Sequence, residues 1–110
     1  MTGVSVVFVT VGNAEEGTRI AQTLVEERLI ACANILPNVL SVYRWKGEIY
    51  REEERLLILK TSSARFPALM KRIRELHSYE VPEIVSFPLT DGLPEYLQWV
   101  LDNSRNEGDG

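Results

Sequence analysis

The apolar and polar positions of the chain change period several times, and each change predicts a different element. Residues 5–11, "SVVFVTV", are β-branched and almost continuously apolar, as expected of a strand covered on both faces or at a subunit contact. In "GNAEEGTRIAQTLVEERL" the period lengthens: Ile20, Ala21, Leu24, Val25 and Leu29 recur on one helical face. Asn13 stands three residues before Glu16, a capping-box spacing in which each side chain satisfies a free backbone N–H.

From Ala31 to Tyr50 the pattern is extended again. Pro37 cannot donate to a strand ladder, so it predicts a bulge, bend or edge within a long second strand, and Lys46-Gly47 predicts a turn. "RLLILKT", residues 55–61, is the next strand, and the charged "REEE" before it reads as a solvated end of the hairpin. Phe66, Leu69, Met70, Ile73 and Leu76 then fall at helical intervals, with Pro67 tolerated in the first turn. Pro82 blocks continuation of that helix. "EIVSFPL" predicts a fourth strand whose far end, at Pro88, lies at an edge. Pro94 opens a short third helix carrying Leu97, Val100 and Leu101 on one stripe. The apolar anchors end there, which predicts one domain over residues 1–103 and a frayed tail over 104–110.

The element order is β-α-β-β-α-β plus a C-terminal helix, and it predicts an α+β, ferredoxin-like fold with a four-stranded antiparallel sheet carrying both helices on one face. The other face stays open. Together with Tyr43, Trp45 and Tyr50 on a long hairpin, that face predicts an oligomer.

Composition narrows the function classes. The 110 residues are 45% hydrophobic and 25% charged with a net charge of −4, values of a folded domain rather than a disordered one. The cations are dispersed among sixteen acids, so neither nucleic acid nor an anionic membrane surface is an expected partner. No apolar run approaches the roughly 20 residues of a bilayer span, and no signal-peptide pattern stands at the start. A single cysteine, Cys32, agrees with a reducing, cytoplasmic setting.

Candidate chemistry is sparse. Cys32 and His77 are the soft-to-borderline metal ligands apart from methionine, and they lie 45 residues apart without a C-x-x-C or H-x-x-x-H spacing. A Cys32 nucleophile with His77 as base is disfavoured by the apolar setting of the thiol, which keeps it inert. Glu80 and Glu83 point to opposite faces if the segment is extended. The glycines form no phosphate-cradling loop, and "KGEIY" lacks the aromatic core of an RNA-binding strand. Trp45 and Trp99 read as subunit packing. Lys60, closing "LLILK", either snorkels to water or lines a pocket with its charge.

Four stretches, "EERLIACANILP", "SVYRWKGEI", "LILKT" and "LHSYEVPEI", followed by "YLQWV", resemble the CutA family, proteins named for divalent-cation tolerance. The match runs along nearly the whole chain in order. It departs at Ser78, where the family commonly has proline. The resemblance implies a trimer of ferredoxin-like subunits similar to the PII signalling proteins, with long strands pairing across subunits. It implies a non-enzymatic protein without an organic cofactor, linked to Cu²⁺ and other divalent cations. On this chain the implied metal ligands are Cys32, His77 and Glu83, and the implied cleft residues are Trp45, Lys60 and Tyr79. The alternative is a PII-like regulator whose cleft takes a small anionic ligand or a partner protein, with Lys60 as the charge partner between Trp45 and Tyr79.

Overall fold

The computed structural model describes residues 1–106. Eight elements follow in order: β1 (Val4–Val11), α1 (Ala14–Glu26), β2 (Cys32–Trp45), β3 (Glu48–Ser62), a 3₁₀ turn (Ser63–Arg65), α2 (Phe66–Leu76), β4 (Ile84–Pro88) and α3 (Pro94–Asn103). The strands form one antiparallel sheet in the order β2-β3-β1-β4. This is the α+β, ferredoxin-like arrangement that the element order predicts.

The two-residue period of β1 divides its side chains between the faces. Val7, Val9 and Val11 meet Leu57 and Leu59 of β3, Ile20 and Leu24 of α1, and Leu69 and Ile73 of α2 in one fully buried core. Each such side chain contributes about 1.5–3 kcal/mol relative to exposure. Gly17 is what lets α1 sit this close to the sheet. A Cβ there would lie 3.1 Å from Val11 Cγ2 and 3.4 Å from Leu57 Cδ2. A smaller cluster at the start of β1 joins Val4 and Ala31 to Val100 of α3.

Several local expectations hold. Asn13 caps α1, its Oδ1 accepting from the Glu16 N–H at 2.8 Å. The ladder slips between Leu36 and Val39, at the bulge that Pro37 predicts, with Asn38 left-handed at φ 60°. Lys46 and Gly47 both have positive φ, 50° and 84°, the geometry of a tight two-residue hairpin turn. β4 is an edge strand and ends at Pro88.

Other boundaries move. α1 stops at Glu26, short of Leu29, because Arg28 takes a left-handed φ of 60° and turns the chain toward β2. The acidic run does not form a loose hairpin end. Glu52, Glu53 and Glu54 lie within β3, opposite Ser41, Leu40 and Val39, and Glu54 is buried at 5% exposure. Ser104, which the sequence places at the start of the tail, is also buried. Its Oγ donates to the Val100 carbonyl at 2.6 Å and accepts from the Ser62 N–H at 3.0 Å. Residues 107–110 of that tail lie outside the described residues.

β1 pairs with β3 only from Arg55 to Ser62. Beyond Arg55 the β2–β3 hairpin continues as a two-stranded arm without a third strand, and the molecule reaches 47 Å along its longest axis.

Candidate functional site

The junction between α2 and β4 is held by a chain of hydrogen bonds that begins at His77. α2 ends as His77 turns extended, its N–H donating to the Ile73 carbonyl at 2.8 Å. The imidazole is buried. Nδ1 accepts the Tyr79 N–H at 3.0 Å, so Nε2 carries the proton and donates to the Thr10 carbonyl at 2.7 Å. In this neutral tautomer both ring nitrogens are engaged within the chain.

Glu16 lies beside the ring. Its Oε2 accepts from the Ser78 N–H at 2.8 Å and its Oε1 from the Ser78 hydroxyl at 3.0 Å, with His77 Nδ1 3.6 Å away. Burial by itself pushes this carboxyl up, but the two Ser78 hydrogen bonds, assisted by the charge of Arg19, outweigh it and hold the group below the usual range. Only half of the expected capping box therefore forms. The Asn13 side chain caps the helix, whereas the Glu16 carboxylate reaches to the next junction. Ser78 supplies both of the hydrogen bonds that fix it.

The chain of contacts continues through Tyr79. Its hydroxyl donates to Glu54 Oε2 at 2.6 Å, and its ring leans on His77 with centroids 4.7 Å apart. Burial first, and then the Glu54 acceptor, push the phenol above its ordinary value, so the donor stays protonated. The absence of a side chain at Gly12 makes room for it, since a Cβ there would stand 3.3 Å from the Tyr79 oxygen.

In front of this junction the hairpin arm forms one wall of a groove of about 610 Å³. The alternation along β2 and β3 brings Tyr43, Trp45, Tyr50, Glu52 and Glu54 to this side, and the segment after Tyr79 adds Glu80 and Glu83. Tyr43 and Tyr50, paired across the ladder, stack with centroids 5.5 Å apart. The Tyr43 phenol is raised by loss of hydration and then by Glu52. Among the described residues no lysine or arginine nitrogen lies within 4.0 Å of the carboxylates of Glu52, Glu54 or Glu83.

The residues singled out by the sequence are thus divided between two places. Trp45, Tyr79 and Glu83 share the groove, and His77 lies behind Tyr79. Cys32 and Lys60 face each other in the β2–β3 ladder at the other end, six residues along β3 from Glu54, about 20 Å. There Cys32 Sγ shares a hydrogen bond of 3.4 Å with the Tyr96 hydroxyl, and this contact first, then burial, pushes that phenol up to about 12. Lys60 Nζ donates to Asn34 Oδ1. Among the described residues no three His, Cys, Asp or Glu side chains converge on a point that holds a metal ion. The residues that sequence reasoning misses are Glu16, assigned only to a cap, and Glu52 and Glu54, assigned to a solvated end. The two-residue period of "YREEE" is the available signal, because it places Tyr50, Glu52 and Glu54 on one face.

The family model of the CutA1 divalent ion tolerance protein matches residues 5–103. The chain is 48% identical to the divalent-cation tolerance protein CutA of Thermus thermophilus over 90% of its length and 96% of the relative's. It is 42% identical to human protein CutA over 96% of its own length, and spans 59% of that longer protein. The chloroplastic CutA of Arabidopsis thaliana is likewise 42% identical, and the chain spans 56% of it. Among solved structures, the Thermus thermophilus divalent cation tolerance protein superposes with a TM-score of 0.90 at 47% identity, over 93% of this chain and 99% of that one. The Xylella fastidiosa CutA superposes with a TM-score of 0.91 at 36% identity, over 94% and 99% respectively.

Proposed function

The chain belongs to the CutA1 divalent ion tolerance family, and from that premise we propose that it acts in tolerance of divalent cations as a non-enzymatic homotrimer that binds the cation, copper among them, weakly where copies meet. The family is named for tolerance and not for a reaction.

The observation that carries the assembly is the hairpin arm. A two-stranded ribbon is marginal in water by itself, yet this one exposes Leu40, Val42 and Ile49 at 54%, 61% and 66%. A second copy packed on the arm removes that surface from water, at about 25 cal/mol per Å² of apolar area buried.

Assembly also bears on the cation. One chain brings no three ligands together among its described residues, so these do not by themselves fit a metal ion, and the missing ligands would have to come from a neighbouring copy. Cys32, partly exposed, and Glu83, exposed, are the accessible contributors. His77 joins only by giving up the Tyr79 N–H or its bond to the Thr10 carbonyl.

Calorimetric titration of Cu²⁺ into the wild type, Cys32→Ser, Glu83→Gln and His77→Ala tests this. Saturable binding weakened by Cys32→Ser or Glu83→Gln is the expected result. No binding, or equal binding by all four proteins, overturns it.

A further inference from the structure

The groove between the hairpin arm and the α2–β4 junction has a chemistry that a point-like metal ion does not match. Its carboxylates are spaced along a channel instead of converging, and its walls are aromatic. A divalent ion needs several oxygen or nitrogen donors at about 2.0–2.6 Å around one centre. A carbon chain bearing positive nitrogens needs the opposite: flat ring faces along its length and carboxylates at intervals.

Two independent observations point to that second kind of ligand. The first is Glu54. A carboxylate at 5% exposure is costly unless its charge is matched, and here its hydrogen bond comes from a tyrosine hydroxyl, a donor that brings no positive charge. No cation of the described residues forms an ion pair with it. The second is Lys46, at the hairpin turn beside the groove. Its ammonium lies 5.6 Å from the centroid of the Trp45 ring and 3.8 Å from Glu80 Oε2, so the chain's own alkylammonium already takes the aromatic-and-carboxylate arrangement next to the groove. Farther in, the Tyr43–Tyr50 stack with Glu52, Glu54 and Glu83 offers the same pair of surfaces without a cation.

We propose that this groove is a binding site for an organic cation of the linear alkyl-diammonium or alkylguanidinium class, lying along the Tyr43–Tyr50 stack with a charged end at Glu54. The ligand's methylenes cover the tyrosine rings, and its nitrogens donate to Glu54 at one end and to Glu83 or Glu52 at the other. This assignment does not rest on metal binding. The two readings share Glu83, but the diamine is titrated in the presence of a chelator, so either one can hold without the other.

The test is titration of the full chain with 1,4-diaminobutane in the presence of a chelator, read by calorimetry and by Trp45 fluorescence in a Trp99→Phe background. Butane-1,4-diol serves as the uncharged control. Saturable binding of one diamine per chain is expected, with no binding of the diol. Glu54→Gln weakens it by about tenfold or more, as loss of a charge-assisted hydrogen bond requires. Exposed Glu83→Gln, which leaves the buried network untouched, weakens it by about threefold. Absence of diamine binding by the wild type overturns the proposal. So does binding that both variants retain in full, because that result describes general attraction to an acidic protein. Should Glu54→Gln fail to fold, Glu83→Gln and Tyr50→Ala decide the matter by the same criterion.

Discussion

The Tyr79 hydroxyl donates to Glu54 Oε2 across 2.6 Å, joining the α2–β4 junction to the base of the hairpin arm. Twenty-five residues separate the two in sequence, and the bond closes one end of the groove. Tyr79→Phe keeps the ring against His77 and leaves a buried carboxylate without its donor. The expected cost is about 1–3 kcal/mol, read as a lower urea midpoint at unchanged slope. Glu54→Gln in the Tyr79→Phe background should recover part of the loss, since it removes the uncompensated charge. A double-mutant cycle with no coupling between the two positions would contradict the contact.

Glu16 makes stability depend on acidity. Its carboxyl is held below the ordinary glutamate range in the folded chain, so the folded state binds its proton less readily than the unfolded state does. The associated stabilisation is fully present above the unfolded value and is lost as pH falls through the folded one. Urea midpoints measured from neutral pH downward should therefore fall in the acid range, and Ser78→Ala should reduce that fall by removing one of the bonds that lower the group. An identical acid profile for wild type, Ser78→Ala and Glu16→Gln would show that Glu16 contributes nothing.

Ser104 fastens the end of α3. Ser104→Ala removes both a donor to Val100 and the acceptor for the Ser62 N–H. The Ser62 amide is partly buried, so leaving it without an acceptor costs about 1 kcal/mol, the low end of the range for a buried donor, and the variant should unfold at lower urea, whereas a substitution on the exposed side of α2, Lys71→Ala, should change stability by less than about 0.5 kcal/mol. Indistinguishable midpoints for Ser104→Ala and the wild type would mean that this end of the chain is not anchored through the hydroxyl.

The exposed arm leads to an expectation about assembly. Light scattering at micromolar concentration should report three copies, and Val42→Glu with Ile49→Glu should shift the population toward monomer because both substitutions place charge on the surface that copies would cover. A wild-type monomer under those conditions would exclude the trimer.

Much of the element pattern is legible in the sequence. The β-branched run of β1, the helical spacing of Ile20 and Leu24, and the positions of Pro37, Pro82 and Pro88 act through neighbours within a few residues, where backbone sterics and side-chain period decide the outcome. The same local reasoning fails at "REEE", because the solvation of an acid depends on what lies across space. Glu54 is buried and bonded to a tyrosine that arrives from beyond the far end of α2.

The groove shows the same division. Residue types along the chain limit which side chains can do chemistry, and the two-residue alternation of the hairpin puts Tyr43, Tyr50, Glu52 and Glu54 on one side. The resemblance groups Trp45 and Tyr79 in a cleft, but no local pattern of residues brings them together with Glu83 there, or sets Cys32 and Lys60 about 20 Å away along the sheet; packing does both. Packing also commits both nitrogens of His77 to partners inside the chain. Periodicity reports the face on which a side chain stands. Strand register and the path of the α2–β4 junction decide what stands opposite it, and these follow from contacts between segments that are distant in sequence.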